Sequence, residues 1–340
     1  MTKQDFNISG AVDSVHESRQ ERPRPHLGAS MLGHPCDRYL WLSFRWSVQE
    51  KFPGRILRLF RRGHMEEATA VQDLQSIGCT ITHTGEGQSR VDFGGHVSGS
   101  MDGRIQGGLP GYEHDQLVLE IKTHSAKSFA ALARDGVEKA KPQHWVQMQT
   151  YMLGTGLKLA LYYAVCKDND ETYAEIVRFD KQAAQDAVTR GHRIALSDRM
   201  PEPCPGAGPS WYQCKYCPAY AMCWEKQPTK HVNCRTCAHS TAAKDGTFGC
   251  EHWLATIPLD AQHTGCADHV LHPDTVPWPL DDSQSTGAVA AYVIDGRVVK
   301  NGKAGPGVYS STEILANPVG CTVGGVVEEM REKFGAKIIG

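Results

Sequence analysis

Leu119-Glu120-Ile121-Lys122-Thr123 is the stretch that decides the fold. With Val118 in front, its aliphatic residues make the short apolar run of a buried strand. Side chains alternate across a strand, so Glu120 and Lys122, two residues apart, leave the same face. A buried charge without a partner is costly, and here two charges share one face of a strand read as buried. Asp102, eighteen residues before Glu120, offers a second carboxylate. A divalent cation between the two carboxylates would satisfy them.

Working outward, the pattern predicts a helix over 55–77, with apolar positions at Leu59, Phe60, Ala70, Val71 and Leu74 and a stop at Gly78. Residues 79–122 alternate and carry glycine-rich turns, which predicts three or four strands. Helices follow at 125–135 and 142–155, strands at 158–167 and 171–178, and a helix at 180–197. Helix, meander, Glu-x-Lys strand, helix and strand in that order make an α/β layout. The polar, Pro-containing segment 1–28 is expected to be disordered. Residues 29–228 hold the main domain, which ends in a Pro/Gly-rich linker over 201–209 and a first cysteine group. A Cys-rich module occupies 229–275, and 276–340 is a tail with two short strands and a final helix.

Composition narrows the function classes. Thirty-six basic and 38 acidic residues leave a formal charge of -2, so a polyanion would have to be met by a local patch. The chain has no 18-residue apolar run and no secretory h-region, which points to a soluble, cytoplasmic protein with no membrane partner. No Gly-x-x-x-x-Gly-Lys-[Ser/Thr] loop is present, so any motor would have to be a separate protein.

Four features accompany one another along 340 residues: Gly63-x-x-x-Glu67, Gly99-x-x-Asp102, Glu120-Ile-Lys122 and Gln147-x-x-x-Tyr151. In this order they resemble the PD-(D/E)xK nuclease superfamily, in its RecB-like branch. The resemblance covers about residues 33–224. It implies a restriction-endonuclease-like mixed β-sheet flanked by helices, and a Mg²⁺ or Mn²⁺ ion held by Asp102, Glu120, the carbonyl of Ile121, and Glu67. Glu66 is a rival to Glu67. Lys122 would orient water and steady developing charge. Gln147 and Tyr151, four apart on a helix, would both face the substrate, with His144 beside them. Arg55, Arg58 and Arg62 form a helical stripe that is either a solvated face or a contact to the DNA backbone.

Twelve cysteines are many for a reducing compartment, and seven of them fall between Cys214 and Cys266. Clustering of that kind favours metals over disulfides. Cys214-x2-Cys217-x5-Cys223 lacks a fourth ligand, and Cys36 lies far upstream. One cysteine before the core and three after it resembles the iron–sulfur nucleases, such as the CRISPR-associated spacer-capture and AddB-type families. That resemblance implies a structural [4Fe–4S] cluster on Cys36, Cys214, Cys217 and Cys223. Zinc, with another ligand such as Cys204, is the alternative. Cys234-x2-Cys237, Cys250 and Cys266 suit a tetrahedral Zn²⁺ in a C-terminal zinc-ribbon-like module, with His239, His252, His263 and His269 as alternative ligands. Cys79, Cys166 and Cys321 read as packing residues.

The resemblance implies a metal-dependent DNA exonuclease, acting on single strands or duplex ends in recombination or end-processing. A separate motor or annealing protein would be its partner. The added cysteine ribbon is similar to phage-encoded exonucleases, which work in a host cytoplasm. A flap- or structure-specific endonuclease is one alternative. A non-catalytic nucleic-acid-binding protein stapled by metals is another.

Overall fold

Leu117–His124 is the middle strand of a five-stranded sheet. The sheet runs Thr80–Thr82, Gly103–Gly107, Leu117–His124, Leu159–Cys166, Thr172–Arg178. Only the central pairing, Leu117–His124 with Leu159–Cys166, is parallel; the others are antiparallel. A parallel neighbour needs a crossover. Two helices, Ala126–Ala140 and Pro142–Thr155, provide it. This computed structural model describes residues 7–19, 21–322 and 326–335.

Period-two alternation sorts the central strand onto two layers. Leu117, Leu119 and Ile121 pack with Ala70 and Leu74 of the helix Gly54–Ser76. Val118 packs on the other side with Phe129, Leu132, Met148 and Met152 of the crossover helices. The result is a mixed sheet between helices, as the strand pattern predicts. The helix expected over 125–135 stops where Gly136 takes φ 73°, and a second segment continues to Ala140. Glu175 holds that break by accepting from Val137 N–H at 2.8 Å.

Between 79 and 122 there are five strands, more than the three or four expected. Arg90–Asp92 and Val97–Ser100 leave the main sheet and join Leu27–Gly28 in a small one. Within the segment expected to be disordered, residues 7–19 have structure. Ile8–Ser18 is a helix capped by Asn7, whose side chain accepts from Gly10 N–H. Its sequence is too short and polar to announce itself. Tertiary contacts hold it to Gly54–Ser76: Asp13 pairs with Arg58, and Glu17 Oε1 accepts from Gly54 N–H at 2.7 Å. That last contact places an anion at a helix N-terminus.

The chain separates into two units, Met1–His34 with Glu50–His192, and Pro35–Gln49 with Arg193–Gly340. Within the second unit, Arg235 explains why 35–49 belongs there. Its buried guanidinium lies 3.9 Å from the Trp46 ring centroid and 4.2 Å from that of Phe248, and it donates to Phe44 O. Trp41 Nε1 donates to Ser197 O and Arg38 Nε to Pro201 O. The unit also holds a three-stranded sheet of Ser240–Ala242, Phe248–Cys250 and Ala255–Thr256. The tail folds into strands Ala290–Ile294, Arg297–Asn301 and Val308–Tyr309, with helices Ser311–Ala316 and Val326–Phe334. Among the described residues, no helix is long and apolar enough to cross a membrane.

Candidate active site

Glu120 is completely buried, and its Oε2 has no hydrogen-bond partner among the described residues. Its charged neighbour in contact is Lys122, whose Nζ lies 2.5 Å from Oε1. Burial pushes the Glu120 carboxyl up to about 8; Lys122 works against that rise and Asp102 adds to it. Burial also opposes the charge on Lys122, but the Glu120 and Asp102 carboxylates outweigh it and hold the ammonium far above its usual range.

Asp102 is fixed by the strand itself. Its Oδ2 accepts from Ile121 N–H at 2.8 Å and from Lys122 Nζ at 3.3 Å. Lys122 Nζ also donates to Ile121 O at 3.0 Å. One ammonium therefore touches Asp102, Glu120 and the Ile121 carbonyl, three of the groups expected to hold a divalent ion. The fourth, Glu67, is half-buried; burial first and Asp102 second raise its carboxyl, while Lys122 and His64 lower it. Glu66 instead acts on Tyr163. Glu67 is electrically coupled to Asp102.

Do these residues fit a hard cation? Two carboxylates already share a positive charge, and the buried one has lone pairs no protein group satisfies. Such a donor set suits Mg²⁺ or Mn²⁺. Among the described residues, no three His, Cys, Asp or Glu side chains already form a finished cage. The ammonium of Lys122 takes that central place among the carboxylates.

Gln147 and Tyr151 share a helix face as expected, yet both are buried and bond inward. Gln147 Nε2 donates to Tyr151 Oη at 3.3 Å, and Tyr151 donates to Ser100 O at 2.7 Å. They brace the loop that carries Asp102. Gly99 makes this possible, because a Cβ there would come within 2.9 Å of the Tyr151 ring and hydroxyl. His144 binds Tyr162 Oη through Nδ1 at 2.8 Å. Tyr162 and His124 were not singled out from sequence. His124 continues the Glu120, Lys122 alternation, which was a readable signal; Tyr162 pairs with Glu120 across the parallel strands, which was not.

The arginine stripe is mostly committed to protein. Arg58 pairs with Asp13, and Arg62 donates to Lys167 O at 2.9 Å. Arg55 is exposed.

In the second unit, the cysteines of each group lie within electrostatic reach of one another, and among the described residues none of them forms a finished metal cage. Cys36 and Cys214 act electrically on Cys204, Cys217 and Cys223, and Cys204 hydrogen-bonds with Cys36. Cys204, named only as an alternative ligand, is thus the cysteine in hydrogen-bond contact with Cys36. Cys234, Cys237, Cys250 and Cys266 line one cavity of about 240 Å³ together with His239 and His252. Burial, and then the neighbouring thiols, raise Cys234 to about 11. Of the alternative ligands, His269 is spent on Asn233 O and Ser311, and His263 stacks on Trp46.

No protein-family model and no curated protein matches the chain. Among solved structures, it is similar to SSO0001, with 14% identity over 64% of this chain and 97% of that one, at a TM-score of 0.38. It is also similar to an alkaline exonuclease, LHK-Exo from Laribacter hongkongensis, with 17% identity over 53% of this chain and 90% of that one, at 0.35. LHK-Exo in complex with dAMP gives 16%, 54% and 89%, at 0.36. Likeness of this degree leaves the functional reading to the residues themselves.

Proposed function

We propose that the first unit is a metal-dependent deoxyribonuclease, an exonuclease of the RecB-like PD-(D/E)xK type that serves recombination or DNA end-processing. The observation that carries it is the buried Glu120 carboxylate, unsatisfied at Oε2 and joined to Asp102 through one ammonium. A fold that hides a carboxylate this way is set up for a cation rather than for stability. Asp102, Glu120, Glu67 and the Ile121 carbonyl would hold Mg²⁺ or Mn²⁺, which when bound polarises the phosphoryl oxygen and acidifies water.

The chain's own residues do the rest. Lys122, within reach of three oxygens and held in its charged form by the Glu120 and Asp102 carboxylates, would steady negative charge building on the phosphoryl group. Gln147 and Tyr151 keep Asp102 in place through the Ser100 carbonyl. In the second unit, Cys36, Cys214, Cys217 and Cys223 would hold a [4Fe–4S] cluster and Cys234, Cys237, Cys250 and Cys266 a Zn²⁺, both as structural staples.

The test is a time course on end-labelled linear DNA and on covalently closed circular DNA, with Mg²⁺ or Mn²⁺. We expect mononucleotide release from the linear substrate, an intact circle, and a Glu120→Gln variant slower by about a thousandfold or more. A nicked or linearised circle would make the enzyme an endonuclease. Unchanged cleavage by Glu120→Gln would remove the catalytic assignment.

A further inference from the structure

Next to Lys122 lies a chain of hydrogen bonds with one consistent direction. Lys141 Nζ bonds Ser128 Oγ at 2.6 Å. An ammonium only donates, so Ser128 accepts there, which leaves its own proton available to His124 Nδ1, 3.2 Å away. His124 then carries its proton on Nε2 and donates to Tyr162 Oη at 2.8 Å. The phenolic proton is left for His144 Nδ1, also at 2.8 Å. In that direction His144 is the Nε2–H tautomer, since the bond at one ring nitrogen decides the other. That Nε2 has no hydrogen-bond partner among the described residues, and the ring is only partly buried.

The assignment requires both imidazoles to be neutral. Burial, and then nearby lysine charges, hold His124 at about 4 and His144 at about 3. After burial, the strongest influence on His144 is Lys122, so the ring stands beside the proposed catalytic pair. It also lies one helical turn before Gln147.

We propose that His144 presents a fixed, uncharged Nε2–H donor to a phosphate oxygen of the DNA, and that Ser128, His124 and Tyr162 are positioning residues that lock this tautomer. The proposal deepens the nuclease reading and rests on it for the identity of the ligand. Phosphate oxygens only accept, so a locked donor suits them, whereas a free imidazole would spend part of its time presenting a lone pair. A neutral donor also adds no positive charge beside the carboxylates that would bind a cation.

Two measurements on the full chain test it. Nitrogen NMR of ¹⁵N-histidine protein should show His124 and His144 both protonated at Nε2, and Tyr162→Phe should release His144 to a mixture. On end-labelled DNA with Mg²⁺ or Mn²⁺, His144→Phe should raise KM by about tenfold, as loss of a hydrogen bond to a charged group implies. His144→Gln, whose amide N–H reaches about as far as Nε2, should recover most of that loss. An Nδ1–H tautomer at His144, or an unchanged KM in His144→Phe, overturns the proposal. If the wild-type protein cleaves no DNA, the nuclease reading fails and the donor role with it, while the NMR result still decides the hydrogen-bond chain.

Discussion

The Lys122 ammonium stands 2.5 Å from the Glu120 carboxylate, and both side chains leave one face of one strand. Neither partner is dispensable to the other. Lys122→Ala would leave Glu120 and Asp102 facing each other without a cation. Breaking a buried pair typically costs roughly 3–5 kcal/mol. We expect the variant to unfold at lower temperature in chelator, and millimolar Mg²⁺ or Mn²⁺ to restore part of the loss. Calorimetry with and without the ion checks it, and equal midpoints in both conditions would speak against a cation site here.

Gly99→Ala should act on Asp102 at a distance. A methyl group at 99 would meet the Ala29 Cβ at 2.7 Å and Tyr151 Oη at 2.9 Å, and Tyr151 holds Ser100. Overpacking of this kind costs about 1–3 kcal/mol. Activity should fall further than stability does, because the displaced loop carries a proposed metal ligand. Parallel unfolding and cleavage assays separate the two effects.

Acid should destabilise the second unit through His272. Burial first, and Arg45 second, lower this imidazole to about 4, against an unfolded value near 6.5. Its Nδ1 accepts from Asp274 N–H, so the folded state needs the ring neutral. Between these values the unfolded chain binds the extra proton, so stability is full above about 6.5 and declines toward pH 4, by about 3 kcal/mol at most for this group. His272→Asn keeps an acceptor for Asp274 N–H and cannot titrate. The slope of unfolding midpoint against pH should flatten in that variant.

Cys250→Ser should cost the C-terminal site its metal. The side chain lines the same cavity as Cys234, Cys237 and Cys266. Elemental analysis of purified protein should show about one zinc per chain fewer than wild type, with iron unchanged. Loss of iron instead of zinc would exchange the identities proposed for the two cysteine groups.

The central strand and its flanking helices were legible because their pattern is local. Val118, Leu119 and Ile121 announce a strand buried on two faces, and Gly136 ends a helix where its φ demands. Pairings that depend on register were not legible. Tyr162 reaches the site only because it sits opposite Glu120 across a parallel ladder, which no spacing within one segment can show. Nor could the inward bonds of Gln147 and Tyr151 be foreseen, since a helix face says which residues are neighbours and not whether a loop covers them. The helix Ile8–Ser18 escaped notice for a related reason: its support comes from Arg58 and the Gly54 N–H, not from its own propensity.

The arrangement of Pro35–Gln49 with Arg193–Gly340 carries a consequence for how the protein is born. Cys36 leaves the ribosome well before Cys204, Cys214, Cys217 and Cys223 exist. At ordinary rates of translation that interval is on the order of ten seconds or more. During it the thiol has none of the group's other thiols beside it and is open to oxidation. The cluster proposed for these cysteines could therefore form only after Cys223 has been made, and its yield should depend on the redox state of the cell in which the chain is made.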